Sequence, residues 1–242
     1  MPPLKPYSSE LSYSYAPGVF PSLQLMTYAP ERASRLLLSE RAQGEGVEKL
    51  RLLCQEHHVR EEIADKALSR LSGKQNCFAA VVFEKWQSEL SKTAPHVVLH
   101  HPMDEGNLGT IQRTLLGFGL PDVAVIRPCA DVFDPKVVRA AMGAIFSLRV
   151  KLYESFEDYR QEHPSHALYP FMLDGAVGLA QAAAERREPY ALIFGNEGSG
   201  LPPEFGKLGQ AVRIPHNQLI DSLNLSIAVG VGAYAFIHAK DA

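Results

Sequence analysis

The chain has 242 residues, 46% of them hydrophobic, which is enough for one large or two modest domains with a real core. Its formal net charge of -3 argues against a protein that holds nucleic acid through its bulk charge, so any such contact must come from a local basic face. No apolar run reaches the roughly 18 residues that a membrane helix needs, which excludes a membrane-spanning class.

Cysteine usage and the first residues indicate a cellular compartment. The three cysteines, Cys54, Cys77 and Cys129, fall in no CxxC or CxxH spacing, which favours a reducing environment and argues against a zinc site. The opening segment, MPPLKPYSSE, lacks the basic-then-apolar pattern of a signal peptide. We therefore expect a cytoplasmic protein with no membrane partner.

The first third of the chain predicts a small α/β module. Residues 1–17 are rich in Pro, Tyr and Ser and are typical of an extended arm. From residue 18 the hydrophobic spacing predicts alternating helices and strands, ending with a buried strand at CFAAVVFE. We place this module at 18–92, with a connector at 85–95, and expect a central sheet.

The remaining residues, 93–242, predict a second and longer alternation. A strand at 96–102 is followed by a helix at 106–119, and the same pattern repeats through a helix at 135–146. A very apolar helix, roughly Ser222 to Lys240, ends the chain. This order is typical of a doubly wound α/β domain with a parallel sheet.

The first of three polar blocks is GNLGTIQR, from Gly106 to Arg113. Asn107 can cap the helix, and Gly109 allows a backbone or ligand to approach closely. Arg113 lies one helical turn after Gly109 and shares its face, so it would point toward whatever lies over the strand end. A capped surface helix with a solvated arginine is the simpler alternative.

The second block is LIFGNEGSGLPPEF, from Leu192 to Phe205. Its glycines do not have the spacing of a dinucleotide fingerprint, and no Lys-Ser/Thr follows them as in a P-loop. The block fits a loop that exposes backbone groups to a ligand, with Glu197 as a lone carboxylate among glycines. A tight turn before a helix that begins with two prolines fits equally well.

The third block is IPHNQLIDSLNLS, from Ile214 to Ser226. Asp221 or Ser222 can cap the apolar helix that follows. Capping by either residue leaves Asn224 unexplained, since it stands between two leucines. The block therefore suggests a polar function at the start of a buried helix.

The order of these blocks, separated by about 85 and then 20 residues, resembles the three motifs of the SpoU/TrmH branch of the SPOUT RNA methyltransferases. That family methylates a ribose 2′-hydroxyl. The resemblance implies that 93–242 is the catalytic domain, a parallel sheet with helices on both faces and a deep trefoil knot. It implies that 18–92 is a small α/β domain that binds the RNA substrate.

The resemblance also implies the ligands and the site. The cofactor would be S-adenosylmethionine and the partner RNA, with rRNA favoured over tRNA, in a homodimer without a metal. The cofactor would be held by Gly195, Asn196, Gly198, Ile214, Ser222 and Leu223. The catalytic set would be Arg113, Asn107, Glu197, Ser222 and Asn224. Because a guanidinium is always protonated, we expect Arg113 to act as an electrostatic clamp oriented by Glu197.

Two departures from the family pattern keep an alternative open. The family often has Asp-Pro before the first asparagine, where this chain has Asp104-Glu105-Gly106, and a family hydroxyl is replaced by Ala141. The second hypothesis is therefore a weak or inactive RNA-binding homologue of the same fold. An unrelated doubly wound nucleotide-binding protein is the third, and it lacks the expected phosphate loop.

Two basic residues and two histidine pairs are further candidates. Lys136 and Arg139 are candidate phosphate contacts, or a charged solvent face. The histidine pairs, 57–58 and 100–101, are adjacent in sequence. Because neighbours on a strand point to opposite faces, we expect neither pair to bind a metal.

Overall fold

The computed structural model describes residues 4–72, 77–217 and 219–239, and these form two compact units. Unit 1 runs to Trp86 and also contains Asp131–Ser147, whereas unit 2 contains Gln87–Ala130 and the chain from Leu148 onward. The predicted boundary at residue 92 therefore differs from the observed one, and 131–147 does not group with the second domain. Residues 1–3 of the predicted arm and Lys240 of the predicted last helix lie outside the described ranges.

Unit 1 begins with a four-stranded sheet and three helices. In chain order these are β1 (Tyr13–Pro17), α1 (Val19–Tyr28), β2 (Ala33–Leu38), α2 (Glu45–Glu56), β3 (Arg60–Ile63), α3 (Asp65–Ser72) and β4 (Ala79–Glu84). The sheet order is β1-β4-β2-β3, with β1 and β2 antiparallel to β4 and β3 parallel to β2. The predicted α/β module is present, but β1 lies in the segment predicted as an arm.

An aromatic cluster explains why 131–147 groups with unit 1. Trp86 packs against Phe133 and Phe146, with ring centroids 4.9 and 6.1 Å apart, and Phe83 of β4 contacts all three rings. The guanidinium of Arg32 lies 4.8 Å from the centre of the Trp86 ring. Large rings buried together contribute strongly to a core, so this segment completes the core of unit 1.

The rest of the chain forms the longer predicted alternation. In chain order its elements are β5 (His96–His100), α4 (Glu105–Gly117), β6 (Asp122–Ile126), α5 (Pro135–Ala140, in unit 1), β7 (Arg149–Tyr153), α6 (Phe156–Glu162), β8 (Ala167–Pro170), β9 (Val177–Gly178), α7 (Leu179–Ala184), β10 (Tyr190–Phe194), β11 (Val212–Arg213) and α8 (Leu225–His238). A five-stranded sheet has the order β7-β6-β5-β10-β8, and all its pairs are parallel. Among the described residues, no helix has the length and apolarity needed to cross a membrane.

Helices cover both faces of this sheet. Ile193 and Phe194 are consecutive residues of β10, so their side chains point to opposite faces. Ile193 packs in one apolar cluster with residues of α6, whereas a carbon added to Gly232 of α8 would meet the Phe194 ring at 3.0 Å. The predicted parallel α/β fold with helices on both faces is confirmed, and the trefoil knot stays a prediction.

Two predicted helices have different ends in the structure. The helix predicted at 135–146 stops at Ala140, because Met142 and Gly143 have φ angles of 52° and 79° that an α-helix does not allow. The last helix starts at Leu225 rather than at Ser222. Ser222 and Asn224 of the third block therefore precede α8 instead of lying in its first turn.

Candidate functional site

Loops from the second and third blocks surround a cavity of about 380 Å³ at the carboxyl end of β10. It is lined by every residue of the predicted cofactor set: Gly195, Asn196, Gly198, Ile214, Ser222 and Leu223. Glu197 of the predicted catalytic set lines it too. Two other clefts are larger, about 730 and 660 Å³, but none of the residues lining them belongs to the three blocks.

The second block folds into a tight loop that only glycine at position 195 allows. A carbon added to Gly195 would lie closer than 3.0 Å to backbone atoms of Gly200 and Leu201. The side-chain oxygen of Asn196 accepts the backbone N–H groups of Gly198 and Ser199, at 2.9 and 3.2 Å. Its amide donates to the His101 carbonyl at 2.8 Å, which ties the loop to the end of β5. The loop is thus a fixed wall of the cavity.

Glu197 joins this wall to the start of α4. Its two carboxylate oxygens accept the backbone N–H groups of Met103 and Asp104, at 3.1 and 3.0 Å. A carboxylate is well placed there, since the N-terminus of a helix carries a partial positive charge. The expectation that Glu197 orients Arg113 is wrong for this arrangement, because the Glu197 carboxylate accepts from the backbone before α4 and from the amides of Asn107 and Asn196 instead.

Asn107 does not cap α4 as predicted. The cap is Asp104, whose carboxylate accepts the backbone N–H of Asn107 at 2.6 Å. The Asn107 side chain instead links two other predicted residues: it donates to Glu197 at 3.4 Å and accepts from the Asn224 amide at 3.0 Å. One polar chain therefore connects all three blocks.

Asn224, not Asp221 or Ser222, caps α8. Its side-chain oxygen accepts the backbone N–H groups of Ser226 and Ile227, at 2.9 and 3.4 Å. This explains why a polar residue stands between two leucines in the sequence. Ser222 is exposed and lines the cavity, so two neighbouring polar residues of the third block occupy different positions.

Arg113 is the one predicted site residue that contacts none of the others. It lies on the exposed face of α4 and does not line the cavity. In the part of the chain that the structure describes, its guanidinium forms no hydrogen bond or ion pair, so its charge faces solvent. The structure brings the rest of the predicted set together and leaves Arg113 at its edge.

The cavity has an acidic character. Its lining contains the carboxylates Asp174 and Glu197, and no Lys or Arg is among the described residues that line it. Apolar side chains from Phe171, Phe194 and Leu225 complete the wall. A cavity with this lining favours a ligand with a flat apolar part and a positive charge.

The comparisons with known proteins decide the family. Residues 94–234, more than half of the chain, match the model of the SpoU rRNA Methylase family. The chain belongs to this family. It is 28% identical over 188 residues to an uncharacterized tRNA/rRNA methyltransferase of Synechocystis, covering 76% of this chain and 69% of that protein.

One further relative and one solved structure resemble the chain over most of its length. The chain is 27% identical over 156 residues to the 23S rRNA (guanosine(2553)-2'-O)-methyltransferase of Bacillus subtilis, an alignment that covers 64% of this chain but only 62% of that protein. The crystal structure of an AdoMet-bound rRNA methyltransferase from Sinorhizobium meliloti superimposes with a TM-score of 0.80 and 24% identity, covering 95% of this chain and 88% of the other. The shared fold extends over nearly the whole chain.

The departures at Glu105 and Ala141 lie outside the cavity lining. Ala141 is fully buried in unit 1, where a hydroxyl would need a buried partner. Glu105 lies in the first turn of α4, where a negative charge is favourable. Neither change removes a group from the cavity lining.

The histidines behave differently from the sequence expectation. His100 and His101 do not point apart: their rings stack with centroids 3.8 Å apart, because His101 follows the end of β5 with a φ of 57°. Burial, and then the neighbouring His101, lowers the pKa of His100 to about 4. A second cluster, His96, His163 and His166, was missed altogether, since its members are far apart in the sequence.

Proposed function

We propose that this SpoU-family protein transfers a methyl group from S-adenosylmethionine to a ribose 2′-hydroxyl of RNA, with rRNA as the favoured substrate. The observation that carries the proposal is the convergence of three polar blocks on one acidic cavity. The 2'-O-methyltransferase of Bacillus subtilis, which acts on 23S rRNA, supports the reaction and the substrate class.

The residues of the cavity fit S-adenosylmethionine. The apolar wall and the exposed loop backbone suit an adenine ring, and a volume of about 380 Å³ lies in the range typical of small-molecule sites. When bound, the cofactor supplies a methyl group on a positively charged sulfur. Asp174 and Glu197 favour that charge, and a lining without Lys or Arg does not oppose it.

Arg113 acts on the nucleotide rather than on the cofactor. A ribose hydroxyl becomes a better nucleophile as its proton leaves, and the oxygen then gains negative charge. The permanently protonated guanidinium of Arg113 stabilises that charge, and its exposed position on α4 is open to an incoming RNA strand. Asn107, Asn224 and Glu197 hold the starts of α4 and α8 together.

Unit 1 supplies a basic surface for the RNA backbone. A cleft of about 660 Å³ in this unit is lined by six cationic residues against two acidic ones. The cations are Lys5, Arg35, Arg60, Lys66, Arg70 and Lys136, and the acids are Glu62 and Asp134. Such a local excess of positive charge supplies phosphate contacts in a chain that is acidic overall. Lys136, a predicted phosphate contact, belongs to this cleft, and Arg139 is exposed on the same helix.

We further propose that the protein is a homodimer that associates through α8. Ile227, Val231 and Tyr234 lie about one turn apart on this helix and are 55%, 39% and 56% exposed. An apolar stripe of this kind is typical of an association surface. Sedimentation at micromolar concentration should give a dimer for the wild type and a monomer for Tyr234→Glu; a monomeric wild type would contradict the proposal.

The decisive experiment separates methyl transfer from cofactor binding. In an assay with transcribed, unmodified rRNA and radiolabelled S-adenosylmethionine, Arg113→Ala should lower turnover by about 10²–10³, the usual effect of removing one charge stabiliser. Its affinity for S-adenosylmethionine by titration calorimetry should stay within about threefold, because Arg113 does not line the cavity. Gly195→Ala should show the opposite pattern, since the added carbon displaces the loop backbone and weakens cofactor binding.

Controls decide between an active enzyme and the binding homologue. Arg187→Ala removes another exposed arginine of unit 2, outside the cavity, and should keep wild-type turnover. A wild type that binds RNA but neither binds nor consumes S-adenosylmethionine would favour the inactive homologue. Equal turnover by Arg113→Ala and wild type would remove Arg113 from the mechanism. The cytoplasmic location stays a prediction from cysteine usage.

A further inference from the structure

We propose that unit 2 contains a binding site for a divalent transition metal such as Zn²⁺, formed by His96, His163 and His166. One ring nitrogen of each histidine lies within 4.8 Å of those of the other two, and all three residues are buried. None of them lines the cofactor cavity, so the inference does not depend on the methyl-transfer proposal. Imidazole nitrogens are among the ligands that Zn²⁺ binds most readily.

Backbone carbonyls fix the protonation of two of these rings. The Nε2 atom of His96 lies 2.6 Å from the Ser91 carbonyl, and that of His166 lies 3.0 Å from the Ala94 carbonyl. A carbonyl oxygen only accepts, so both Nε2 atoms carry the proton. With the proton on Nε2, the Nδ1 atom of each of these two rings carries the lone pair.

Two ring nitrogens of the cluster have no hydrogen-bond partner among the described residues. The Nδ1 atoms of His163 and His166 are buried and, among the described residues, form no hydrogen bond. The Nε2 atom of His163 is within 3.1 Å of the Tyr153 hydroxyl, and the hydroxyl of Tyr159 lies 3.0 Å from Nδ1 of His96. Buried polar atoms nearly always have a partner, so two such atoms in one cluster indicate a group that binds them.

The groups around the three histidines also have features that are typical of a metal site. Metal-binding histidines usually donate their second N–H to a carbonyl or a carboxylate, as His96 and His166 do here. His163 and His166 also line an open cleft of about 730 Å³, which gives an ion a route to the cluster and a water molecule a place as fourth ligand.

The ligand atoms need only small movements to bind one ion. A tetrahedral site with Zn–N bonds of about 2.0–2.1 Å puts nitrogens about 3.4 Å apart, compared with 4.8 Å or less here. The rings of His96 and His166, stacked with centroids 4.1 Å apart, must open so that both planes include the ion.

The ion would join segments that are distant in sequence. His96 starts β5, His163 follows the last residue of α6, and His166 precedes β8. Since β10 lies between β5 and β8 in the sheet, the metal would clamp the amino ends of two strands across a third. We therefore expect a structural ion, which stabilises the sheet edge opposite the cofactor cavity.

The test uses the untagged full chain, stripped with a chelator and titrated with Zn²⁺ against a chromogenic competitor. We expect one strongly bound ion per chain, a higher melting temperature with Zn²⁺, and loss of affinity by about 100-fold or more in His163→Gln and His166→Gln. The matched control is His57→Gln, the same change at an exposed histidine of unit 1, which should leave affinity unchanged. Circular dichroism checks that each variant is folded.

A second measurement keeps the proposal testable if the variants fail to fold. Co²⁺ bound to the wild type should give visible bands typical of four-coordinate geometry, and the exchangeable Nε2–H protons of His96 and His166 should appear as strongly shifted NMR signals. These protons exchange slowly only if their carbonyl partners stay in place. The absence of such signals, or equal Zn²⁺ binding by wild type and folded His163→Gln, would overturn the site.

Discussion

Strands β6 and β7 carry an ion pair at each end, and the two pairs have opposite character. At the amino ends, Asp122 pairs with Arg149 through two hydrogen bonds, and the carboxylate is 0% exposed. At the carboxyl ends, Arg127 pairs with Glu154 at 2.9 Å, and their side chains are 47% and 77% exposed. The same two strands thus end in a pair with a fully buried carboxylate on one side and in a solvated pair on the other.

This contrast extends along the whole sheet of unit 2. The amino edge holds buried side chains that bond to one another, including His96 with Tyr159 and the Ser91 N–H with Asp122. The carboxyl edge is built from loops whose backbone groups and exposed polar residues surround the cavity. Parallel α/β sheets bind ligands at their carboxyl edge. The amino edge can therefore stabilise the fold, while the carboxyl edge binds the ligand.

The largest effect on stability should come from the buried pair. Asp122→Asn leaves the Arg149 charge without its partner and weakens the bond to the Ser91 N–H. Breaking a buried pair costs about 3–5 kcal/mol, and because Arg149 is 44% exposed we expect about 3 kcal/mol. Hydrogen exchange of β5 and β6 amides measures this locally in unit 2.

The exposed pair supplies the matched control at the other end of the same strands. Glu154→Gln should change stability by no more than about 0.5 kcal/mol, since an exposed ion pair gains little over hydration. Similar losses of stability in Asp122→Asn and Glu154→Gln would show that the difference in burial does not make one pair more important for stability than the other.

A similar loss of stability should appear at acidic pH, because the unfolded chain then binds protons at the histidines of the amino edge. Burial, with His166 next in effect, lowers the pKa of His96 to about 4, against about 6.5 in the unfolded chain. Above pH 6.5 the ring is neutral in both states; between 6.5 and 4 only the unfolded chain binds the proton. Stability is therefore lost as pH falls through this window, by about 3 kcal/mol for His96 at about 1.4 kcal/mol per pKa unit.

Urea unfolding in a chelating buffer at pH 7, 5.5 and 4.5 measures this loss, and the chelator removes any effect of a bound ion. His96→Gln should flatten the slope with pH even if it lowers stability at pH 7, whereas His57→Gln should not. The contribution of Asp122 to stability can be distinguished from that of His96. Arg149 lowers the pKa of the Asp122 carboxyl, so the contribution of Asp122 is lost only below about pH 4. A slope unchanged by His96→Gln would mean that the proton binds elsewhere.

The sequence predicted the carboxyl edge far better than the amino edge. Glycines and asparagines after strands form recognisable blocks, and parallel strands bring such blocks together whatever their separation. His96 and His166 stand in no pattern of their own, because what joins them is the pairing of β5 and β8 with β10. His163 and His166 are three residues apart, and this spacing was the only signal in the sequence.

Local geometry set the other limits of prediction. The early end of α5 depends on positive φ values at Met142 and Gly143, and the first of these residues gives no hint of that conformation. The return of 131–147 to unit 1 depends on long-range packing of Phe133 and Phe146 against Trp86. The predicted capping residues lie two or three positions from the observed ones, because Asp, Asn and Ser are almost interchangeable as caps.

The smallest of the expected effects tests whether one residue of the carboxyl edge has two separable roles. Asn224 caps α8 through its side-chain oxygen and reaches Asn107 through its amide. Asn224→Ala removes both and should cost about 1 kcal/mol, a fall of about 2–4 °C in melting temperature. Asn224→Asp keeps the capping oxygen but has no amide to donate, so it should melt near the wild type. Both variants should lose methyl-transfer rate if the link to Asn107 holds the site, because both lose that bond. If Asn224→Asp instead kept full turnover, the polar chain from Asn224 to Glu197 would serve only to stabilise the helix starts.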